Sequence, residues 1–101
     1  MNIFDTKSVD KLFDAILLLK TKEECKKFFE DVCTIKELQD ISQRLDVACQ
    51  LKEGKSYQEI SKNTGASTTT ISRVNRCLVY GNGGYREILD KLMEETKWIL
   101  I

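Results

Sequence analysis

The sequence predicts an all-α protein of six helices, and three observations carry this prediction. Apolar residues recur at helical spacing along most of the chain, and no segment alternates apolar and polar residues over a useful strand length. Proline is absent, and glycine falls between the apolar stripes. A length of 101 residues is that of a single domain, so we treat 1–101 as one unit.

The first three helices begin at recognisable signals. An apolar stripe that follows Ser8 predicts the first helix. Thr21 and Thr34 are each followed three residues later by glutamate, which is the capping-box pattern, and they predict the starts of the second and third helices. Gly54 ends the third helix. The residues expected to be buried on that helix are Leu38, Ile41, Leu45, Ala48 and Leu51.

The next two helices are predicted to form a helix-turn-helix over residues 56–80. Ser56 and Glu59 form a third capping box, which opens a short helix that stops at Gly65. Ser67 caps the following helix, which runs to about Tyr80. The glycines of 81–84 break that helix, and a last helix carries the apolar residues Ile88, Leu89, Leu92, Met93 and Trp98.

Apolar residues at fixed positions are expected to hold the two helices of this motif together. Ile60 lies inside the first helix, and Ser61 is a small residue at the expected close crossing. Gly65 makes the turn, and Ile71 and Val74 of the second helix pack back onto Ile60. A short helix, a tight glycine turn and a protruding second helix are the features of a DNA-binding helix-turn-helix.

Hydroxyl and arginine side chains dominate the outward face of the second helix. Three consecutive threonines are poor helix formers, whereas their hydroxyls suit phosphates and their methyl groups suit thymine. Gln58 and Lys62, four residues apart on the first helix, would lie near the DNA backbone. The predicted DNA-binding residues are Gln58, Lys62, Ser67, Thr68, Thr69, Thr70, Ser72, Arg73 and Arg76.

The charge distribution agrees with a local nucleic-acid surface. The formal net charge is zero, with 16 basic and 16 acidic residues. Residues 51–80 nevertheless hold five basic residues and two acidic ones, so positive charge is concentrated in the helix-turn-helix. The zero net charge of the whole chain, by contrast, favours an alternative in which the motif is a protein-interaction module that does not bind DNA.

Apolar residues are unusually abundant in the first three helices. Leu17, Leu18 and Leu19 leave the end of the first helix without a polar face. A second copy of the chain would cover this surface, and residues 8–53 and 84–99 are therefore predicted to be the dimerisation helices. The alternative is that all the helices fold into one monomeric core.

Other function classes find little support. The chain has no histidine, and its four cysteines have no metal-binding spacing, so we expect no metal and interpret the cysteines as small buried hydrophobes. No general base or activated nucleophile is recognisable, so we expect no enzyme activity and no catalytic residues. The longest apolar run, 15–19, is too short to cross a membrane, and we expect a cytoplasmic protein without a membrane partner.

Three motifs resemble the Trp-repressor superfamily, and within it the YerC/YecD-type Trp-repressor-like group. They lie at residues 43–47, 54–61 and 65–73, and read QRLDV, GKSYQEIS and GASTTTISR. The resemblance covers most of the chain. It implies a six-helix fold and an intertwined dimer in which the first three helices and the last helix interlock. Helix-turn-helix docking by the Trp repressor is itself a standard example of DNA recognition.

The resemblance also implies a small-molecule corepressor pocket. In the Trp repressor two arginines sandwich the indole ring of tryptophan, and a threonine carbonyl from the other subunit helps to hold its amino group; the matching residues here are Arg44, Arg73 and Thr34. Val74 replaces a glycine that makes room for the ligand, and Cys77 replaces a serine. The resemblance leaves a corepressor open, but because valine adds volume we expect that it is not tryptophan.

The sequence therefore predicts a sequence-specific transcriptional regulator, and more specifically a repressor, that binds double-stranded DNA as a homodimer. The competing prediction is the interaction module described above. A salt-dependent affinity for duplex DNA would distinguish the two, because each phosphate contact releases counterions.

Overall fold

The computed structural model describes the backbone of residues 2–100 and the side chains of residues 2–94. This part of the chain is entirely helical, as predicted, and contains no strand. A short 3-10 helix at Ile3–Asp5 precedes six α-helices. These are α1 (Lys7–Leu17), α2 (Lys22–Val32), α3 (Ile35–Lys52), α4 (Tyr57–Thr64), α5 (Thr68–Tyr80) and α6 (Gly84–Leu100). The side chain of Trp98, which was predicted to belong to the last apolar face, lies outside the described residues.

Two of the predicted capping boxes form in full. The Thr21 hydroxyl accepts a hydrogen bond from the Glu24 amide, and Glu24 accepts one from the Thr21 amide. Thr34 and Glu37 make the same reciprocal pair at the start of α3. At α4 the Ser56 hydroxyl accepts from the amide of Glu59, which is the serine half of the third box. Local sequence signals therefore place the helix starts.

The prediction for the first helix is wrong by one residue. Helix α1 begins at Lys7 rather than at Ser8, because the hydroxyl of Thr6 accepts a hydrogen bond from the Val9 amide and caps the helix there. The preceding 3-10 helix was not predicted. It forms because the carboxamide oxygen of Asn2 accepts from the amide of Phe4.

The chain divides into two compact units, one that ends at Leu38 and one that begins at Gln39. The N-terminal unit contains α1, α2 and the first turn of α3. None of its described residues is buried, and Leu17 and Leu18 are 81% and 75% exposed. Phe28 and Phe29 pack edge to face on α2, with ring centroids 5.4 Å apart.

The C-terminal unit contains the apolar core of the described residues. Helix α5 packs against both α4 and α6. The core residues come from α3, from the helix-turn-helix and from α6, and they are Val47, Ala48, Ile60, Ala66, Ile71, Val74 and Leu89. Ile60 thus shares one core with Ile71 and Val74 of the second helix of the motif, as predicted.

The predicted buried face of α3 is wrong in part. Ala48 is buried and Leu51 half-buried, but Leu38, Ile41 and Leu45 are exposed. The core lies instead on the side of α3 that carries Val47 and Ala48, because the residues of α4 and α5 pack there. A stripe of apolar residues on one helix shows that a face needs covering, but it does not show whether the same chain covers it.

The interpretation of the cysteines as buried residues is also wrong. Cys25, Cys33 and Cys49 are half-buried, and Cys77 is exposed. All four are free thiols. Burial, followed by the nearby charges of Asp46 and Glu53, raises the pKa of the Cys49 thiol and so favours its neutral form.

Candidate nucleic-acid interface

Helices α4 and α5 form the predicted helix-turn-helix. Gly65 follows α4 with a φ of +75°, in the left-handed region that ends helices, and the hydroxyl of Ser67 caps α5 by accepting from the Thr70 amide. Ile60 and Ile71 are fully buried and Val74 is 2% exposed. Ser61 donates a 2.8 Å hydrogen bond to the carbonyl of Ala66 and so ties the two helices together across the turn.

Hydrogen bonds from α3 fix this motif on the rest of the C-terminal unit. The amide of Gln43 donates to the Thr64 carbonyl at 3.1 Å, at the point where α4 ends. Gln50, only 8% exposed, accepts a 3.0 Å bond from Asn63 and donates to Asp46. This network was not predicted from the sequence, although two glutamines seven residues apart lie on one face of a helix and were a usable signal.

One face of α5 carries the chemistry that was predicted for DNA. Thr69, Ser72, Arg73 and Arg76 follow the helical repeat, which puts them in a single stripe. Together with Thr68 they line an open depression of about 490 Å³. The sixth lining residue is Tyr57, the first residue of α4, which the sequence analysis missed.

The structure does not bring all nine predicted residues into this depression. Ser67 and Thr70 serve the helix cap, since the Ser67 hydroxyl accepts from the Thr70 amide and donates to the Thr70 hydroxyl, both at 3.2 Å. Thr70 is also half-buried. Gln58 and Lys62 are exposed on α4 but do not line the depression. The exposed stripe of α5 is therefore the centre of the candidate interface.

The depression is positively charged. Its lining contains two arginines and no acidic residue. Neither Arg73 nor Arg76 forms an ion pair with a carboxylate among the residues that the structure describes. Unpaired guanidinium groups beside hydroxyls suit an anionic ligand.

The residues predicted for an effector pocket lie in different places. Arg44 and Cys77 line a second open depression, of about 560 Å³, together with Tyr85. Arg73 faces the first depression, and Val74 belongs to the core. Thr34 caps α3 through its bonds with Glu37. Of the five predicted residues, Arg44 and Cys77 alone thus share a surface in the described part of the chain.

The second depression has mixed chemistry. The charge of Arg44 is surrounded by apolar side chains of α3 and α6, including Ile41, Leu45 and Ile88. Burial raises the pKa of the Tyr85 phenol, against the opposing effect of Arg44, so this hydroxyl stays protonated at neutral pH. Such a surface can accept a ligand that is partly apolar and carries an anionic group.

Two other kinds of site are absent from the residues that the structure describes. No group of histidine, cysteine, aspartate or glutamate side chains in this range could hold a metal ion. Among the same residues, no helix is both long and apolar enough to cross a membrane.

Comparison with known proteins gives consistent matches. The family model described as Trp repressor protein matches residues 7–93. The uncharacterized protein YerC of Bacillus subtilis (strain 168) is 56% identical over 88 residues, which are 87% of this chain and 85% of that protein.

Solved structures give the same result. A TrpR-like protein from Eubacterium eligens ATCC 27750 superposes with a TM-score of 0.88 at 52% identity, over 91% of this chain and 95% of the other. A second solved structure, from Staphylococcus aureus, gives a TM-score of 0.86 at 50% identity, over 91% and 94% of the two chains. The resemblance inferred from the sequence motifs is confirmed: the chain belongs to the Trp repressor protein family and has a Trp-repressor-like all-α fold, with YerC among its relatives.

Proposed function

We propose that the protein is a sequence-specific DNA-binding transcriptional regulator, a repressor, that binds duplex DNA as a homodimer. The observation that carries this proposal is the depression on α5, where unpaired arginines and exposed hydroxyls lie along one face of the second helix of a helix-turn-helix. Membership of the Trp repressor family supports it.

The shape of the motif suits the major groove. Only small side chains, Thr68, Thr69 and Ser72, occupy the first turns of the exposed face, so the start of α5 can approach base edges closely. Arg73 and Arg76 lie about one and two helical turns after Thr69. The rigid core under this face keeps the stripe in place, because Ile71 and Val74 are buried on the opposite side of the same helix.

The N-terminal unit supports the homodimer. Many of its large apolar side chains are exposed, among them Phe4, Leu17 and Leu18, and a second copy of the chain would cover them. Two-fold symmetry would pair two copies of α5 with half-sites about 34–36 Å apart, one turn of DNA. The proposal therefore includes a palindromic operator.

Fluorescence anisotropy over a salt series tests DNA binding. The wild-type protein is first used to select an operator from a random duplex library, and its affinity is then measured on that operator and on random DNA. Thr69→Ala should weaken operator binding by about 1–3 kcal/mol, through loss of a base contact. Lys62→Ala should weaken binding to both duplexes alike and reduce the salt slope by about 1.

Arg86→Ala is the matched charge control for these variants. Arg86 is exposed on α6 and lies outside the depression, so its loss should leave both affinities nearly unchanged. The competing function, an interaction module, is favoured by the neutral total charge of the chain. Wild-type protein that binds no duplex at low salt would reject the proposal and favour that alternative.

We also propose that free tryptophan is not the effector. Val74 is 2% exposed within the core, so its side chain fills space that a glycine would leave open. Isothermal titration calorimetry with tryptophan should give no heat of binding, and the operator affinity should be unchanged by millimolar tryptophan. A tryptophan-dependent gain in operator affinity would contradict this part of the proposal.

A further inference from the structure

Tyr57 has a position that its role in the fold does not explain. It is the first residue of α4, yet it forms part of the wall of the depression that α5 lines with hydroxyls and arginines. It is 38% exposed and does not belong to the apolar core. Its hydroxyl makes no hydrogen bond to any residue that the structure describes.

The surroundings of this hydroxyl select for an anion. A phenol at neutral pH is a hydrogen-bond donor. The charged groups that line the same depression are the guanidinium groups of Arg73 and Arg76, with no carboxylate among them. Guanidinium and hydroxyl donors with no carboxylate among them are the complement of an anionic group with several acceptor oxygens, and a DNA phosphate is such a group.

We propose that Tyr57 is a further DNA-contacting residue, whose hydroxyl donates a hydrogen bond to a backbone phosphate that enters the depression beside Arg73 and Arg76. This inference rests on the proposed function, because it places the tyrosine in the same interface. It gives α4 a direct part in docking: the first helix contributes a neutral donor, and the second helix contributes the charges.

Binding measurements can distinguish this tyrosine–phosphate contact from an arginine–phosphate contact and from a contact with a base. A neutral phenol releases no counterion, so its loss lowers the affinity without changing the slope of log K against log salt. A phosphate contact carries no sequence information, so the loss is the same on operator and on random DNA. An arginine contact changes the slope, and a base contact changes the ratio between the two duplexes.

Tyr57→Phe is the test variant, because it removes the hydroxyl and keeps the ring. We expect it to weaken binding to both duplexes by about three- to tenfold, with an unchanged salt slope and an unchanged melting temperature. Arg76→Ala should lower the slope by about 1 under the same conditions. Tyr80→Phe is the matched control, since Tyr80 is 83% exposed and lies outside the depression, and it should bind as the wild type does.

Each outcome has one meaning. If wild-type protein binds DNA and Tyr57→Phe binds equally well, the inference about Tyr57 is wrong while the proposed function stands. A loss confined to the operator would show a base contact and would also overturn the phosphate assignment. If the wild-type protein binds no duplex, the proposed function itself fails.

Discussion

Single side chains set the start of α3. The Glu37 carboxylate accepts a hydrogen bond from the Thr34 amide at 2.9 Å, and the Thr34 hydroxyl accepts one from the Glu37 amide at 3.1 Å. The bond from the Thr34 backbone, and after it the bond with the Thr34 side chain, lowers the pKa of Glu37 below its usual value. The ionised carboxylate is therefore the form that the fold stabilises.

This gives a pH-dependent prediction for Glu37. Because its folded-state pKa is lowered, its contribution to stability is complete above the ordinary carboxyl pKa and is lost as the pH falls towards the lowered value. Glu37→Gln should reduce stability at pH 7, and the difference from wild type should shrink in acid. Urea unfolding at fixed protein concentration, from pH 7 to pH 3.5, measures this.

The control for that experiment is Glu23→Gln. Glu23 is exposed on α2 and is not the glutamate of the capping box there, which is Glu24. Its substitution should have little effect across the same pH range. A Glu37→Gln difference that stays constant down to pH 3.5 would contradict the assignment of the effect to the ionised carboxylate.

For single residues, the sequence predicts which residue types form the interface better than it predicts which contacts their side chains make. Thr68, Thr69, Ser72, Arg73 and Arg76 were predicted for the interface and do share one surface. Thr70 was assigned to the same role, but its side chain serves the helix cap. Tyr57 was missed because its place opposite α5 depends on how the two helices cross, and this angle is not encoded in the spacing of either helix alone.

At the scale of elements, the turn between α4 and α5 depends on the left-handed conformation of Gly65. An alanine there would meet no atom within 4 Å, so the penalty is one of backbone conformation alone. Gly65→Ala should therefore lower stability by about 1–2 kcal/mol. Gly84→Ala is the matched control, since Gly84 also has open space around it and lies in the first turn of α6. Chemical denaturation should show that Gly84→Ala leaves the stability unchanged or raises it. Equal losses in both variants would refute the argument.

The second element-level prediction concerns the attachment of α4 to α3. Gln50→Ala removes a side chain that is 8% exposed, together with the 3.0 Å hydrogen bond that it accepts from Asn63, and should cost about 0.5–1.5 kcal/mol in the free energy of unfolding. Gln58→Ala removes the same side chain from an exposed position and should change stability by less than about 0.5 kcal/mol. Urea unfolding curves of the two variants compare them directly, and similar curves would show that the network does not hold the motif.

The presence of all six α-helices was predictable, because each has a start signal or a glycine break in the sequence. Which face of each helix is buried within the chain was less predictable. The residues Leu38, Ile41 and Leu45 follow the same stripe as Ala48, yet only Ala48 is buried by the chain itself. Periodicity records that a surface is apolar and contains no information about which chain packs against it.

For the whole molecule, the exposed apolar surface of the N-terminal unit is the largest unexplained feature of a single chain. Leu17→Asp places a charge at a position that is 81% exposed in one chain and that the proposed dimer covers. The wild type should sediment as a dimer whose melting temperature rises with protein concentration, and Leu17→Asp should shift it towards monomer and weaken that concentration dependence. Lys62→Asp, a charge change at an exposed residue outside the predicted dimerisation helices, is the control and should leave the dimer intact. A monomeric wild type would contradict the proposal.

Under the proposed function, an N-terminal unit with no buried side chain among its described residues would also make copy number a regulatory variable. If a second chain covers this surface, the amount of assembled dimer falls with roughly the square of the total concentration once the protein is scarce. Operator occupancy would then rise more steeply than the rate of synthesis. A modest change in expression would act as a threshold, with no small molecule involved.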